Sequence, residues 1–148
     1  MPPIEDGMNT SLNVFSSPSV MIGERRRLLY IEDNRSNLAL VEWILDRRAD
    51  VELFSAMRGR HGLELAQEHQ PDLIVLDLHL PDMAGETVLQ CLQTDVSTRR
   101  IPVVVLSADT SEKRIKRLLR LGASDYLTKP LDIPRLLEVI AALPKQRS

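Results

Sequence analysis

The sequence predicts a doubly wound α/β fold, and two observations lead to this prediction. Short continuous apolar runs recur along the chain, and segments with a helical apolar period separate them. Continuous apolar runs are typical of parallel strands that are covered on both faces, whereas apolar residues at i, i+3 and i+4 indicate a helix with one buried face. The alternation begins at Leu28, and it predicts one domain built from five strand–helix units.

Three central strands are predicted from apolar runs, and two edge strands from weaker ones. The central runs are LLYI (28–31), LIVL (73–76) and VVVL (103–106). The edge candidates are VELF (51–54), which is mixed, and DYLT (125–128), which is short and polar. With right-handed crossovers, these strands form a flavodoxin-like three-layer sandwich of order 2-1-3-4-5, whose ligand site lies beyond the carboxyl ends of the strands.

A helix is predicted after each strand from its apolar stripe. The five stripes contain, in chain order, Leu38, Val41, Ile44 and Leu45; Leu63 and Ala66; Val88, Leu89 and Leu92; Ile115, Leu118 and Leu119; and Leu136, Leu137, Ile140 and Leu143. Asp109 with Glu112 resembles a capping box before the fourth helix. Gly122 suits the end of that helix, and Asp132 with Pro134 suits the start of the fifth.

Length and composition indicate one globular domain flanked by tails. The chain has 148 residues and a formal net charge of −2, which gives no reason to expect nucleic acid or a membrane as the main partner. Residues 1–26 are rich in Ser, Pro, Asn and Gly without periodicity, so we expect a disordered tail or linker there, the domain at 27–144 and a short tail at 145–148. Cys91 is the only cysteine, which excludes an internal disulfide, suggests a packing role and favours the cytoplasm.

Polar and charged side chains are predicted to meet at one edge of this sheet. Glu32 and Asp33 follow the first strand, Asp77 ends the third, Ser107 the fourth, and Lys129 follows the fifth. Taken singly, each residue suits a helix cap, a turn or a solvated position. Because the carboxyl ends of parallel strands share one edge, their coincidence indicates a site.

This set of side chains suits a hard divalent cation and a phosphoryl group. Three close carboxylates repel one another, and oxygen ligands without a Cys or His cluster favour Mg²⁺. Ser107 and Lys129 supply a hydrogen-bond donor and a positive charge for phosphoryl oxygens, and Asp77 is placed to attack phosphorus.

Several stretches in order resemble the receiver domain of two-component response regulators. They are LLYIEDNRSNLALVE, PDLIVLDLHLPDMAGETVL, IPVVVLSAD and GASDYLTKPLD, and the resemblance covers residues 27–143. It implies that Asp77 is the phosphoacceptor. It also implies that Asp33 binds Mg²⁺ directly, that Glu32 acts mostly through water, and that the backbone carbonyl of His79 is a further ligand.

The resemblance also implies a switch. Ser107 matches the hydroxyl that closes onto the phosphoryl group, and Tyr126 matches the aromatic residue whose rotamer follows. Lys129 matches the phosphoryl-binding lysine, often with a cis bond to the next proline, Pro130. Gly85 matches the glycine of the loop after the phosphoacceptor.

Two departures from the family pattern and two neighbouring positions complete the comparison. The acidic pair is Glu-Asp rather than Asp-Asp, and the hydroxyl is Ser107 rather than the commoner threonine. His79 and Asp109 occupy positions that modulate self-dephosphorylation in the family, and we expect them to set the lifetime of the phosphoryl group.

The implied function is a phosphorylation switch rather than an enzyme acting on another substrate. A histidine kinase or phosphotransfer protein would donate the phosphoryl group. The face built by the fourth helix, fifth strand and fifth helix would then change for a downstream protein or a homodimer. The fourth-helix segment SEKRIKRLLRL (111–121) carries five basic residues, which suit an acidic partner or a plain solvated face.

Three alternatives remain from the residues alone. A haloacid dehalogenase-type phosphatase needs Asp-x-Asp, but His79 occupies the second position. A Rossmann-like nucleotide domain needs a glycine-rich turn where this chain has EDNRSN. A degenerate receiver would serve only as a docking module. The stretch YIEDNRSNLALVE resembles receivers attached to hybrid histidine kinases, and the domain is either a stand-alone receiver or part of a larger sensor or regulator.

Overall fold

Five strands alternate with five helices in the computed structural model, which describes residues 25–144. The strands are β1 (Arg26–Ile31), β2 (Val51–Ala56), β3 (Leu73–Asp77), β4 (Val103–Ser107) and β5 (Asp125–Thr128). The helices are α1 (Arg35–Leu45), α2 (Gly59–His69), α3 (Gly85–Thr94), α4 (Glu112–Arg120) and α5 (Ile133–Ala141). The tail predicted at 145–148 and most of the one predicted at 1–26 lie outside the described residues, while Arg26 opens β1 and pairs with Val51.

The sheet has the predicted order, β2-β1-β3-β4-β5, and every neighbouring pair is parallel. All five residues of β3 and all five of β4 are buried, as their apolar runs predict. Four of the six residues of β2 and two of the four of β5 are half-buried, because these strands form the edges of the sheet. The doubly wound α/β architecture predicted from the sequence is therefore confirmed.

Two apolar clusters fill the space on either side of the sheet. One face packs Leu29 and Ile74 against α2, α3 and α4, and the other packs Leu28 and Val75 against α1 and α5. Burial of each of these Leu, Ile or Val side chains contributes roughly 1.5–3 kcal/mol. Side chains of adjacent residues alternate between the two clusters, so every central strand is anchored on both faces and its carboxyl end is held at a fixed position.

Capping residues agree with the prediction at two helix ends and differ at one. Gly122 follows α4 with φ +111°, and Asp132 caps α5 by accepting a hydrogen bond from the Arg135 N–H. The capping box predicted for Asp109 with Glu112 is wrong. Ser111 caps α4, whereas the Asp109 carboxylate accepts from the Ser111 N–H in the preceding turn.

Cys91 lies half-buried on α3. Among residues 25–144, no helix combines the length and apolarity needed to cross a bilayer.

Candidate functional site

The polar residues predicted to converge do so at the carboxyl ends of the strands. Asp77 is the last residue of β3 and Ser107 the last of β4, while Glu32 directly follows β1. Lys129 directly follows β5, and its Nζ lies 2.6 Å from Asp77 Oδ1. The strand order therefore brings a carboxylate and an ammonium group into contact, with Ser107 at the end of the strand between them.

Three carboxylates form an acidic cluster at this edge. One oxygen each from Glu32, Asp33 and Asp77 lies within 4.8 Å of the other two. Glu32 and Asp77 are only 1% and 2% exposed, whereas Asp33 faces solvent. Two buried carboxylates need more compensation than one lysine provides, and oxygen ligands that open to solvent on one side suit Mg²⁺ with its retained waters. The residues present thus fit a magnesium ion.

Glu32 accepts three hydrogen bonds, none of which was predicted from the sequence. The Tyr30 hydroxyl donates to Oε1 at 2.9 Å, and Asn37 Nδ2 donates to the same oxygen at 3.2 Å. The Asn34 N–H donates to Oε2 at 3.3 Å. Tyr30 is the one polar-tipped side chain in the run LLYI, and a buried tyrosine hydroxyl usually has a partner. That signal pointed to a hydrogen bond without identifying Glu32.

The two buried carboxyls have shifted pKa values in opposite directions. Burial, together with the neighbouring charge of Asp77, raises the pKa of Glu32 to about 7. Burial also raises the pKa of Asp77, but contacts with Glu32, Lys129 and the His79 N–H outweigh it and hold this pKa below its usual range. Without a metal, the pair therefore retains a proton on Glu32 until near neutral pH.

Ser107 is engaged away from the acidic cluster. Its hydroxyl donates to the Asp109 carbonyl at 2.8 Å and accepts from the Asp109 N–H at 3.1 Å. Tyr126 pairs with Val105 in the register of the sheet and lies half-buried on the face covered by α2, α3 and α4. The predicted switch pair thus lies on neighbouring strands, with the serine hydroxyl in a local turn.

The two predicted modulators, His79 and Asp109, are both exposed at the rim of the site. The His79 N–H donates to Asp77 Oδ1 at 3.0 Å. Hydrogen bonds from Ser111 hold the pKa of the Asp109 carboxyl below its usual range. The Lys129–Pro130 peptide bond is cis, as the resemblance implies.

Hydrogen bonds hold the loop after Asp77 at both its base and its tip. At the base, the Gly85 N–H donates to the Leu78 carbonyl at 3.0 Å, and a Cβ on Gly85 would lie 2.4 Å from Leu78 Cα. Only glycine permits this close approach, which explains Gly85 in the motif. At the tip, Asp82 accepts hydrogen bonds from the first two N–H groups of α2, a contact that the sequence did not indicate.

The basic face predicted on α4 is partly occupied from within the chain. Arg114 and Arg117 both pair with Glu86 of α3. Lys116 lies 3.6 Å from Glu112 on the same helix. Two of the five basic residues thus form ion pairs that join α4 to α3. The five basic residues therefore do not form a fully solvated basic surface for a partner.

Comparisons with known proteins agree on one family. The family profile described as the response regulator receiver domain matches residues 28–141. The polar-differentiation response regulator DivK of Brucella anthropi is 33% identical over 118 residues, which are 78% of this chain and 93% of that protein.

Two solved structures show the same architecture. The Mn²⁺-bound form of response regulator Rcp1 superposes with a TM-score of 0.65 at 30% identity, over 78% of this chain and 88% of that one. The receiver domain of a sensor histidine kinase from Pseudomonas aeruginosa PAO1, solved with magnesium in its active site cleft, superposes with a TM-score of 0.71. It is 24% identical, covering 80% of this chain and 97% of that one, and this likeness concerns the fold.

Proposed function

This chain belongs to the response regulator receiver domain family of two-component signalling, and we propose that Asp77 is its phosphoacceptor. Receiver domains are signalling domains that interact with histidine kinases or phosphotransfer proteins and with downstream targets. The donor proposed here is a phosphohistidine of such a kinase or phosphotransfer protein.

One observation carries this proposal: the buried Asp77 carboxylate lies 2.6 Å from Lys129 and beside two further carboxylates. A carboxylate whose pKa is below its usual range stays ionised at neutral pH and is available as a nucleophile. Lys129 already contacts it and is placed to pair with a phosphoryl oxygen once the carboxylate is phosphorylated. The acidic neighbours supply the remaining charge for a cation.

We assign Mg²⁺ to the side chains of Glu32, Asp33 and Asp77 together with the backbone carbonyl of His79. The oxygen donor set fits this ion, and the similar protein Rcp1 has been solved with Mn²⁺. When bound, the ion neutralises charge on the phosphoryl oxygens and orients them.

In the transfer step, a carboxylate oxygen of Asp77 forms a bond to phosphorus while the bond between phosphorus and the donor histidine nitrogen breaks. The electron pair of the broken bond stays on that nitrogen, so the imidazole leaves as a neutral ring when its other nitrogen carries a proton and otherwise takes one proton from solvent. Lys129 compensates the negative charge that now lies on the phosphoryl oxygens. The product is an acyl phosphate on Asp77 and a free histidine on the donor.

The response begins when Ser107 exchanges its Asp109 contacts for a phosphoryl oxygen. Tyr126, one strand away, then adopts the orientation that follows this movement. The surface made by α4, β5 and α5 changes, and a downstream protein binds the altered surface. A homodimer through the same surface and a cytoplasmic location stay predictions.

Intact mass spectrometry after incubation with acetyl phosphate tests the proposal. We expect one labile phosphoryl addition in the presence of Mg²⁺, and none without Mg²⁺ or in Asp77→Asn, because an amide is not a nucleophile for this step. Asp95→Asn, at the end of α3, is the matched control and should be modified like the wild type. Equal modification of Asp77→Asn would show that the phosphoacceptor is another residue.

The same assay addresses the modulators. The rate at which the acyl phosphate is lost should change when His79 and Asp109 are both replaced by alanine, since both lie at the rim through which water arrives. An unchanged rate would contradict their assignment.

A further inference from the structure

We propose that Asp82 is a positioning residue for the metal site: by capping α2 across the fold, it holds the loop that carries the His79 carbonyl in place. The inference rests on the proposed Mg²⁺ site. It adds to that site a side chain that contacts neither the metal nor the phosphoryl group.

The contact itself is specific. Asp82 Oδ1 accepts from the Gly59 N–H at 2.8 Å, and Oδ2 accepts from the Arg60 N–H at 3.0 Å. The two oxygens of one carboxylate thus bind two successive N–H groups in the first turn of α2. These same bonds hold the pKa of Asp82 below its usual range, so the carboxylate is ionised and complements the positive end of the helix dipole.

Neither helix beside this loop has a side-chain cap of its own. The N-cap residue of α2 is Arg58, whose side chain makes no capping hydrogen bond, and that of α3 is Ala84, which has no polar side chain. The first N–H groups of α2 therefore depend on a residue 22 or 23 positions away in the sequence. Asp82 supplies that cap, and the same two hydrogen bonds hold Asp82 against α2.

A second contact fixes the neighbouring residue of the loop. Met83 packs over Gly59 so closely that a Cβ on this glycine would lie 2.5 Å from Met83 Cγ. The tip of the loop is thereby attached to α2 through a pair of hydrogen bonds and an adjoining apolar contact.

The base of the loop is fixed as well, so the residues next to Asp77 are restrained from both sides. The Leu78 carbonyl accepts from the Gly85 N–H, which closes residues 78–85 into one compact turn. His79 lies between the closed base and the anchored tip, and its N–H donates to Asp77 at 3.0 Å. Its carbonyl, the proposed metal ligand, therefore has little freedom as long as both ends are held, and a pre-placed ligand binds a cation more tightly.

The experiment compares Mg²⁺ binding by the full chain and its variants, followed through amide signals in ¹H–¹⁵N nuclear magnetic resonance. Asp82→Ala should raise the Kd for Mg²⁺ about tenfold, at the low end of the effect of losing an outer-shell partner of a metal ligand. In metal-free Asp82→Ala, relaxation of the His79 amide should reveal more motion than in the metal-free wild type. Asp82→Asn, which keeps one oxygen acceptor, should fall between the wild type and Asp82→Ala.

Asp95→Ala is the matched control for stability. Asp95 also accepts from a backbone N–H, that of Ser97 at 2.8 Å, and from α2 through Gln67 at 2.6 Å, but it lies at the far end of α3. This variant should lower the melting temperature and leave the Kd for Mg²⁺ unchanged.

The outcomes separate the inference from the proposed function. The positioning role alone is overturned if the wild type binds Mg²⁺ and Asp82→Ala binds it with the same Kd. It is also overturned if Asp95→Ala raises the Kd for Mg²⁺ as much as Asp82→Ala does. A wild type that binds no Mg²⁺ overturns the proposed metal site and the positioning role with it. If Asp82→Ala does not fold, the Kd of Asp82→Asn decides, and an unchanged value again overturns the positioning role.

Discussion

Two carboxylates of this molecule pair with cations from other elements of the fold, and they differ in their surroundings. Asp77 contacts Lys129 between β3 and β5, is 2% exposed and has the buried Glu32 beside it. Glu86 contacts Arg114 and Arg117 between α3 and α4, and its side chain is 21% exposed.

The difference lies in the balance of charge at each place. Around Asp77, two buried carboxylates and an exposed third one face one lysine, so negative charge is in excess and a further cation would offset it. Around Glu86, two guanidinium groups face one carboxylate at the surface, where solvent screens what remains. The proposed site is thus distinguished by buried negative charge that the chain leaves uncompensated, rather than by ion pairing as such.

The largest effect should follow from removing the cation of the buried pair. Lys129→Met leaves Asp77 and Glu32 buried without a cationic partner, and we expect the metal-free protein to lose about 3 kcal/mol of unfolding free energy, as when one partner of a buried pair is removed. The measurement is urea denaturation in EDTA at about pH 8, where Glu32, with its pKa of about 7, is ionised.

Arg117→Met is the matched variant at the exposed pair. It should cost less than about 1 kcal/mol, as surface ion pairs do. Equal losses for the two variants would show that burial does not separate the two carboxylates.

A somewhat smaller change in the unfolding free energy is expected when the pH is changed. The folded-state pKa of Glu32 is raised from 4.5 to about 7, so the protonated form stabilises the metal-free protein below about pH 4.5 and this stability is lost as the pH rises through about 7. The shift corresponds to roughly 3 kcal/mol as an upper bound. The lowered pKa of Asp77 acts in the opposite sense, but only in more acidic solution, below its ordinary 3.8. Urea denaturation in EDTA should therefore show lower stability at about pH 8 than at about pH 5.

Glu32→Gln isolates this effect because an amide does not titrate. The variant should lose most of the slope between these two pH values, whereas Glu64→Gln, at an exposed position on α2, should keep it. A slope that survives in Glu32→Gln would assign the pH dependence to another group.

The strands and their order were predictable because the signal is local and repetitive. A run such as LIVL (73–76) marks a strand buried on both faces wherever it occurs, and right-handed crossovers restrict how such strands are arranged. The helix cap at Ser111 was not predicted correctly, because several polar residues compete within a few positions. Asp109 matched the capping pattern, yet its carboxylate is used by the turn before the helix.

The contacts at the site were likewise predictable only in part. Strand order alone brings Glu32, Asp77 and Lys129 to one edge, so their proximity could be anticipated, while their roles stay predictions. The contacts of Asp82 with α2 and of Glu86 with α4 join residues more than 20 positions apart through side chains. No periodicity encodes such contacts, since they depend on how a loop or helix is placed against the helix beside it.

The smallest effect, and the one that sharpens the comparison most, concerns salt. Glu86→Gln should lower the unfolding free energy by less than about 1 kcal/mol. That cost should shrink between about 0.1 M and about 1 M NaCl, where the screening length falls from about 10 Å to about 3 Å. The cost of Lys129→Met should persist over the same range, because counterions do not reach a carboxylate that is 2% exposed. Urea denaturation of both variants at the two salt concentrations measures the difference. A cost of Glu86→Gln that is unchanged by salt would mean that the α3–α4 pair is shielded from solvent as effectively as Asp77, and burial would then no longer distinguish the two places.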